Sequence, residues 1–219
     1  MTETLSNRRQ KWVTAFLILG FVAVASLLIY RRFSQENPRT GAIHSSSAER
    51  IEGSVLPVFG PAPDFSLIER SGKTLIKKDL EGRPWVADFI FTSCAGQCPF
   101  MSLEMKKLQT LFSRDRDLRF VSFSVDPQRD TPPILSEYAD HYGAEKERWF
   151  FLTGSQKEIN RILAGFFLNR VEEPAMHSTR FLLMDGTGQI RGYYDSSEPE
   201  GMRQLIHDIQ ILTQQGPPS

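Results

Sequence analysis

With 219 residues, 40% of them apolar and 24% charged, the chain can bury a core of its own. Its two cysteines are far too few for a small secreted scaffold built on disulfides. The formal charge of zero is a cancellation: residues 1–33 carry five Lys/Arg and one acidic residue, leaving 21 basic against 25 acidic beyond them, and the lack of a basic stripe there excludes nucleic acid as a partner.

From Trp12 to Tyr30 run nineteen residues without a charge. At ~1.5 Å per residue they can cross a hydrocarbon core of roughly 30 Å. Trp12 and Tyr30 take interface positions, and Arg8, Arg9, Lys11, Arg31 and Arg32 lie outside. The "AVA" at 23–25 before Ser26 resembles a signal-peptide cleavage site, but Leu27, Leu28, Ile29 and Tyr30 continue the apolar run, so an uncleaved transmembrane helix is expected. Residues 1–33 thus read as a cytoplasmic stub and anchor. Residues 34–58, broken by Pro38, Gly41, Gly53 and Pro57, read as a flexible linker, 59–215 as one domain and 216–219 as a tail.

Within the domain, 64–69 and 73–80 read as a hairpin around Ser71-Gly72, and 85–92 as a mostly apolar strand. Phe100, Leu103, Leu108, Leu111 and Phe112 fit a helix up to about Arg114, after which 118–126 returns to strand. Thr131 as N-cap, prolines in the first turn and Gly143 at the end punctuate a helix over 131–143. Strands over 148–154 and 179–185 flank a helix over 155–167, where Ser155 and Glu158 form a capping box. A turn at 185–188, a strand over 189–195 and an amphipathic helix over 199–214 follow. This order indicates an α/β domain with a mixed sheet flanked by helices.

Both cysteines, Cys94 and Cys98, fall after the strand 85–92, at the end where open α/β sheets present their sites. Pro99 fits the first position of the next helix, which puts Cys98 close to the N-cap, where free amide groups and the helix dipole favour a thiolate. Spacing alone leaves a structural disulfide, a redox pair and part of a metal site all open.

The chain resembles the Sco/SenC family of membrane-anchored, thioredoxin-fold copper proteins. The resemblance rests on "TSCAGQCP", "VSFSVDPQRDTP" at 121–132, "FLTG" at 151–154 and "HST" at 177–179, and covers about residues 58–213. It implies a thioredoxin-like fold, with Cys94, Cys98 and His177 as ligands of one copper ion. It also implies delivery of that copper to the dinuclear copper site of cytochrome c oxidase, with the oxidase's copper-bearing subunit, and another copper carrier, as partners. Two thiolates are soft ligands for Cu(I), while an imidazole also supports Cu(II), and a three-ligand set leaves a position open for the recipient. A metallochaperone is the preferred reading over a catalyst. The alternative is a thiol–disulfide oxidoreductase in which Cys94 and Cys98 form the redox pair and keep the oxidase subunit or a copper carrier reduced.

Other candidates carry plainer readings. His141 and His207 suit surface or packing positions, and His44 lies in the linker. Asp126 either orients its own proline loop or acts as an acceptor that orients a ligand or tunes the thiols. Met101 and Met105 fit core packing, and Asp88 is either a buried, hydrogen-bonded carboxylate near the cysteines or an outward-facing one. Met176 stands where many relatives have an aspartate, and Glu172 and Glu173 would add an acidic rim. Only eleven residues precede the apolar run, so the expected location is a bacterial inner membrane, single-pass, with the domain in the periplasm.

Overall fold

The computed structural model describes residues 56–167 and 179–214. The expected anchor and most of the linker, His44, His177, Met176, Glu172, Glu173 and the tail lie outside the described residues. No helix among the described residues is long and apolar enough to cross a membrane.

The described chain runs β1 (Gly60–Pro61), β2 (Ser66–Glu69), β3 (Thr74–Ile76), a 3-10 turn (Lys77–Leu80), β4 (Trp85–Ile90), α1 (Gln97–Leu111), β5 (Arg119–Ser124) and α2 (Pro132–Tyr142). It continues with β6 (Trp149–Thr153), α3 (Gln156–Phe167), β7 (Arg180–Met184), β8 (Gln189–Asp195) and α4 (Pro199–Gln214). One mixed sheet orders the strands β1-β8-β7-β4-β5-β6-β2-β3. β4 pairs parallel with β5 and antiparallel with β7, and β5 pairs parallel with β6. The central position of β4, buried along its whole length, explains its mostly apolar character, which Asp88 alone interrupts. Val86 and Ile90 join one core with residues of α1, α2 and α4, while Trp85, Ala87 and Phe89 join the other with Ile159, Ile162 and Phe166 of α3.

Several boundaries differ from the sequence expectation for local reasons. The strand expected over 73–80 stops at Ile76, whose amide donates to the Asp79 carboxylate at 2.9 Å, turning the chain into the 3-10 turn. The strand expected over 85–92 stops at Ile90 because the Thr92 amide turns to Asp130. At α2 the Thr131 side chain makes no cap bond, and Gly143 closes the helix in the left-handed region at φ 67°. Only half of the Ser155/Glu158 box forms: the Glu158 amide donates to Ser155 Oγ at 3.2 Å, and its carboxylate pairs with Arg161.

The carboxyl end of α1 is held by a buried cation. Arg148, 2% exposed, donates to the carbonyl oxygens of Gln109 (3.0 Å), Phe112 (2.5 Å), Asp115 (3.2 Å) and Leu118 (3.4 Å), with its guanidinium 5.4 Å from the Phe120 ring centre. These carbonyls belong to the end of the helix and its exit, where backbone acceptors lack helical partners. The clamp fixes the end of α1 remote from the cysteines.

Candidate metal and redox site

Leaving β4, the chain turns so that the Cys94 amide donates to the Phe91 carbonyl at 3.2 Å. One buried carboxylate pins this turn to the neighbouring strand. Asp130, 0% exposed, accepts from the Thr92 amide (3.1 and 3.3 Å), the Thr92 hydroxyl (2.5 Å) and the Ser124 hydroxyl (2.6 Å). Asp126 instead pairs with Arg129 at 3.0 Å, and its carbonyl accepts from the amides of Arg129 and Asp130. These bonds lie within its own loop, and the sequence reading missed Asp130 four residues on. Both acids stand in "DPQRD", and nothing in that string distinguishes the buried one from the half-exposed one. The signal that could have singled out Asp130 is its place before "TPP", at the mouth of α2.

Helix α1 begins two residues earlier than expected, with Gly96 as N-cap, Cys98 at the second helical position and Pro99 at the third. Proline costs nothing there, since the first-turn amides have no intrahelical acceptor. Cys94 and Cys98 are both free thiols, Cys94 half-buried and Cys98 buried.

Their acidities are the reverse of the sequence expectation. Burial alone would raise the Cys94 thiol, but the Cys98 amide and thiol and the amides of Gly96 and Gln97 donate to its sulfur and hold it below the ordinary thiol value. The Gly96 contact is 3.4 Å. Burial pushes Cys98 up to about 12, opposed by the Phe91 backbone and reinforced by its neighbours Cys94 and Asp88. The free amide groups of the first turn thus serve the loop cysteine, whose sulfur folds back over them, while Cys98 looks into the core.

Asp88 is buried, as one reading expected, but without the hydrogen bond that reading gave it. It lies on the same side of β4 as Val86 and Ile90, 0% exposed, and desolvation pushes it up to about 7. No hydrogen bond of normal geometry reaches either oxygen, although Ser122, its partner in register on β5, offsets part of the shift. Ser122 is itself engaged, accepting from the Trp149 indole at 3.0 Å. Met101 and Met105 are core residues, 1% and 0% exposed. His141 is exposed with its ring edge-on to Tyr142, and His207 contacts Asp208 at 3.1 Å. Among the described residues no group of three or more His, Cys, Asp or Glu is arranged to hold a metal ion.

A mixed sheet whose central strand delivers a C-x-x-x-C pair into the first turn of a helix, with one reachable and one buried sulfur, defines a thioredoxin-like protein of redox or metal chemistry. Residues 60–214 match the SCO1/SenC family, and the chain belongs to it. It is 35% identical over 152 residues to the SCO1 protein homolog of Bacillus subtilis (strain 168), covering 66% of this chain and 79% of that one. A putative copper-binding protein of Stutzerimonas stutzeri is 28% identical over 165 residues, 71% of this chain and 79% of its own length. The structure of BsSco, a member of the Sco family of cytochrome c oxidase assembly proteins in which a disulfide switch was identified, superposes with a TM-score of 0.64 at 31% identity, covering 74% of this chain and 99% of that one.

Proposed function

We propose that this chain is a copper chaperone, holding one copper ion through Cys94, Cys98 and His177 and passing it to the dinuclear copper site of cytochrome c oxidase. The observation that carries this reading is the pair of free sulfurs at the head of α1, one exposed enough to meet a recipient and one buried behind it, in a chain of the SCO1/SenC family. Two sulfurs suit Cu(I), and the set of three leaves room for a recipient's ligand to bind before the chain's own ligands let go. The Stutzerimonas stutzeri relative, named as copper-binding, supports the cargo, and BsSco, of a family of oxidase assembly proteins, supports the destination. Residues 1–33 serve as a single-pass anchor in a bacterial inner membrane, 34–58 as a flexible tether and 59–215 as the periplasmic domain. The experiment is an anaerobic copper titration of the reduced chain in detergent beside His177→Ala. One copper per chain, with a sulfur-to-Cu(II) absorption band lost in the variant, is the expected result. Binding indifferent to His177 overturns the ligand set.

A second reading rests on the unlike sulfurs. Cys94, reachable and held below the ordinary thiol value, attacks one sulfur of a partner disulfide and releases the other as a thiolate. Cys98, once deprotonated, then attacks the Cys94 sulfur of the mixed disulfide and frees the second partner thiolate. The partner gains two electrons and this chain keeps a Cys94–Cys98 disulfide. The disulfide switch identified in BsSco favours this chemistry. Reduction of a disulfide-bearing oxidase subunit by His177→Ala at the unmodified rate is its expected signature.

A further inference from the structure

Helix α1 is apolar on two faces. Its buried arc carries Cys98, Met101, Met105 and Leu108. On the opposite side stand Phe100 (41% exposed), Leu103 (48%) and Leu111 (58%), three of the seven large apolar side chains that are exposed among the described residues. At about 100° per residue they fall with Lys107 within an arc of about 80°, and at ~1.5 Å per residue the stripe runs roughly 16 Å along the helix. Single exposed apolar residues are ordinary on a folded surface, but a line of them on one helix face is the signature of a contact surface.

The position of the stripe names its occupant. It starts two residues after Cys98, on the helix whose first turn cradles the Cys94 sulfur, and runs away from the cysteines past Lys107 to Leu111. We infer that the exposed face of α1 formed by Phe100, Leu103 and Leu111 is the docking surface for the protein that exchanges copper or a disulfide with Cys94, a partner presenting an apolar surface bordered by carboxylates. This inference rests on the exchange function proposed above. The chemistry needs a recipient sulfur or nitrogen to approach Cys94 closely, while the reacting atoms themselves offer little binding area. An apolar strip beside them supplies affinity without closing the site. Lys107, 70% exposed and bridged to Glu104 at 2.6 Å, stands within the stripe, and the exposed Arg114 lies beyond its far end, so the cations along this face favour carboxylates on the partner.

The test compares the full chain in phosphatidylcholine nanodiscs with its Phe100→Ser/Leu103→Ser/Leu111→Ser variant, both loaded with Cu(I). Each is mixed with the metal-free copper-bearing domain of cytochrome c oxidase, and separately with the small chelator bathocuproine disulfonate. Equal thermal unfolding midpoints establish that the variant folds, and a folded variant carrying any two of the three changes replaces it otherwise. The second-order rate of transfer to the domain is expected to fall at least about tenfold in the variant, with extraction by the chelator unchanged. Equal transfer rates in both proteins overturn the docking surface and leave the function standing. A wild-type chain that yields copper to the chelator but never to the domain overturns the function and the surface with it. Reassignment of the stripe, and loss of the inference, also follows if the substitutions abolish binding to phosphatidylglycerol vesicles or self-association of the chain while transfer stays intact.

Discussion

Asp88→Asn removes a carboxylate that the fold buries without a proper hydrogen-bond partner, and its effect is legible in the pH dependence of stability. The unfolded chain holds Asp88 near 3.8, and the folded chain raises it to about 7 by desolvation. Below the lower value both states are protonated. Between the two, unfolding releases a proton, so stability falls as pH rises, and the loss is complete once pH passes the folded value. A shift of about three pH units at ~1.36 kcal/mol each corresponds to about 4 kcal/mol in all, of which roughly 3 kcal/mol falls between pH 4.5 and pH 8. Asp185 and Asp195, held below the usual carboxylate range despite partial burial, oppose this trend, since their contribution is lost as pH falls. They are common to both proteins and cancel in the difference. The assay is urea unfolding of reduced fragment 34–219 and its Asp88→Asn variant at several pH values. The gap between the two stabilities should move by about 3 kcal/mol in favour of the variant from pH 4.5 to pH 8. A gap that stays constant within about 1 kcal/mol refutes the reasoning and means that Asp88 finds solvent or a partner.

Asp130→Ala strands the Thr92 amide and hydroxyl and the Ser124 hydroxyl, a cost of roughly 3 kcal/mol in urea unfolding, with Asp130→Asn losing less; a cost under about 1 kcal/mol contradicts the pinning role. Arg148→Met leaves buried carbonyls at the exit of α1 without donors and should cost roughly 3–5 kcal/mol, read from the same transitions, whereas a neutral result would mean that apolar packing replaces the clamp. In the reduced chain, brief iodoacetamide treatment at pH 8 should label Cys94 at least about tenfold faster than Cys98, as peptide mass spectrometry reports, and equal labelling would contradict the opposite acidities of the two sulfurs.

Much of this architecture was legible without coordinates, because the signals are local. The apolar run of β4, the proline-rich entry and glycine exit of α2 and the strand–turn–strand after Arg180 follow from side-chain period and backbone geometry alone. The same locality placed Cys94 and Cys98 between a central strand and a helix, and the ordered motifs from Thr92 to Thr179 carried the family. Other parts rest on contacts distant along the chain, which local signals do not carry. Asp130 reaches Thr92 across 38 residues, and Arg148 reaches Gln109 across 39, separations that no periodicity encodes. Which of two neighbouring aspartates turns inward, and which of two cysteines keeps its proton, depend on what stands opposite them after folding. Desolvation and hydrogen bonding act through space, and the acidity of Cys94 comes from amides that its sulfur meets only when the loop folds back over the first turn of α1.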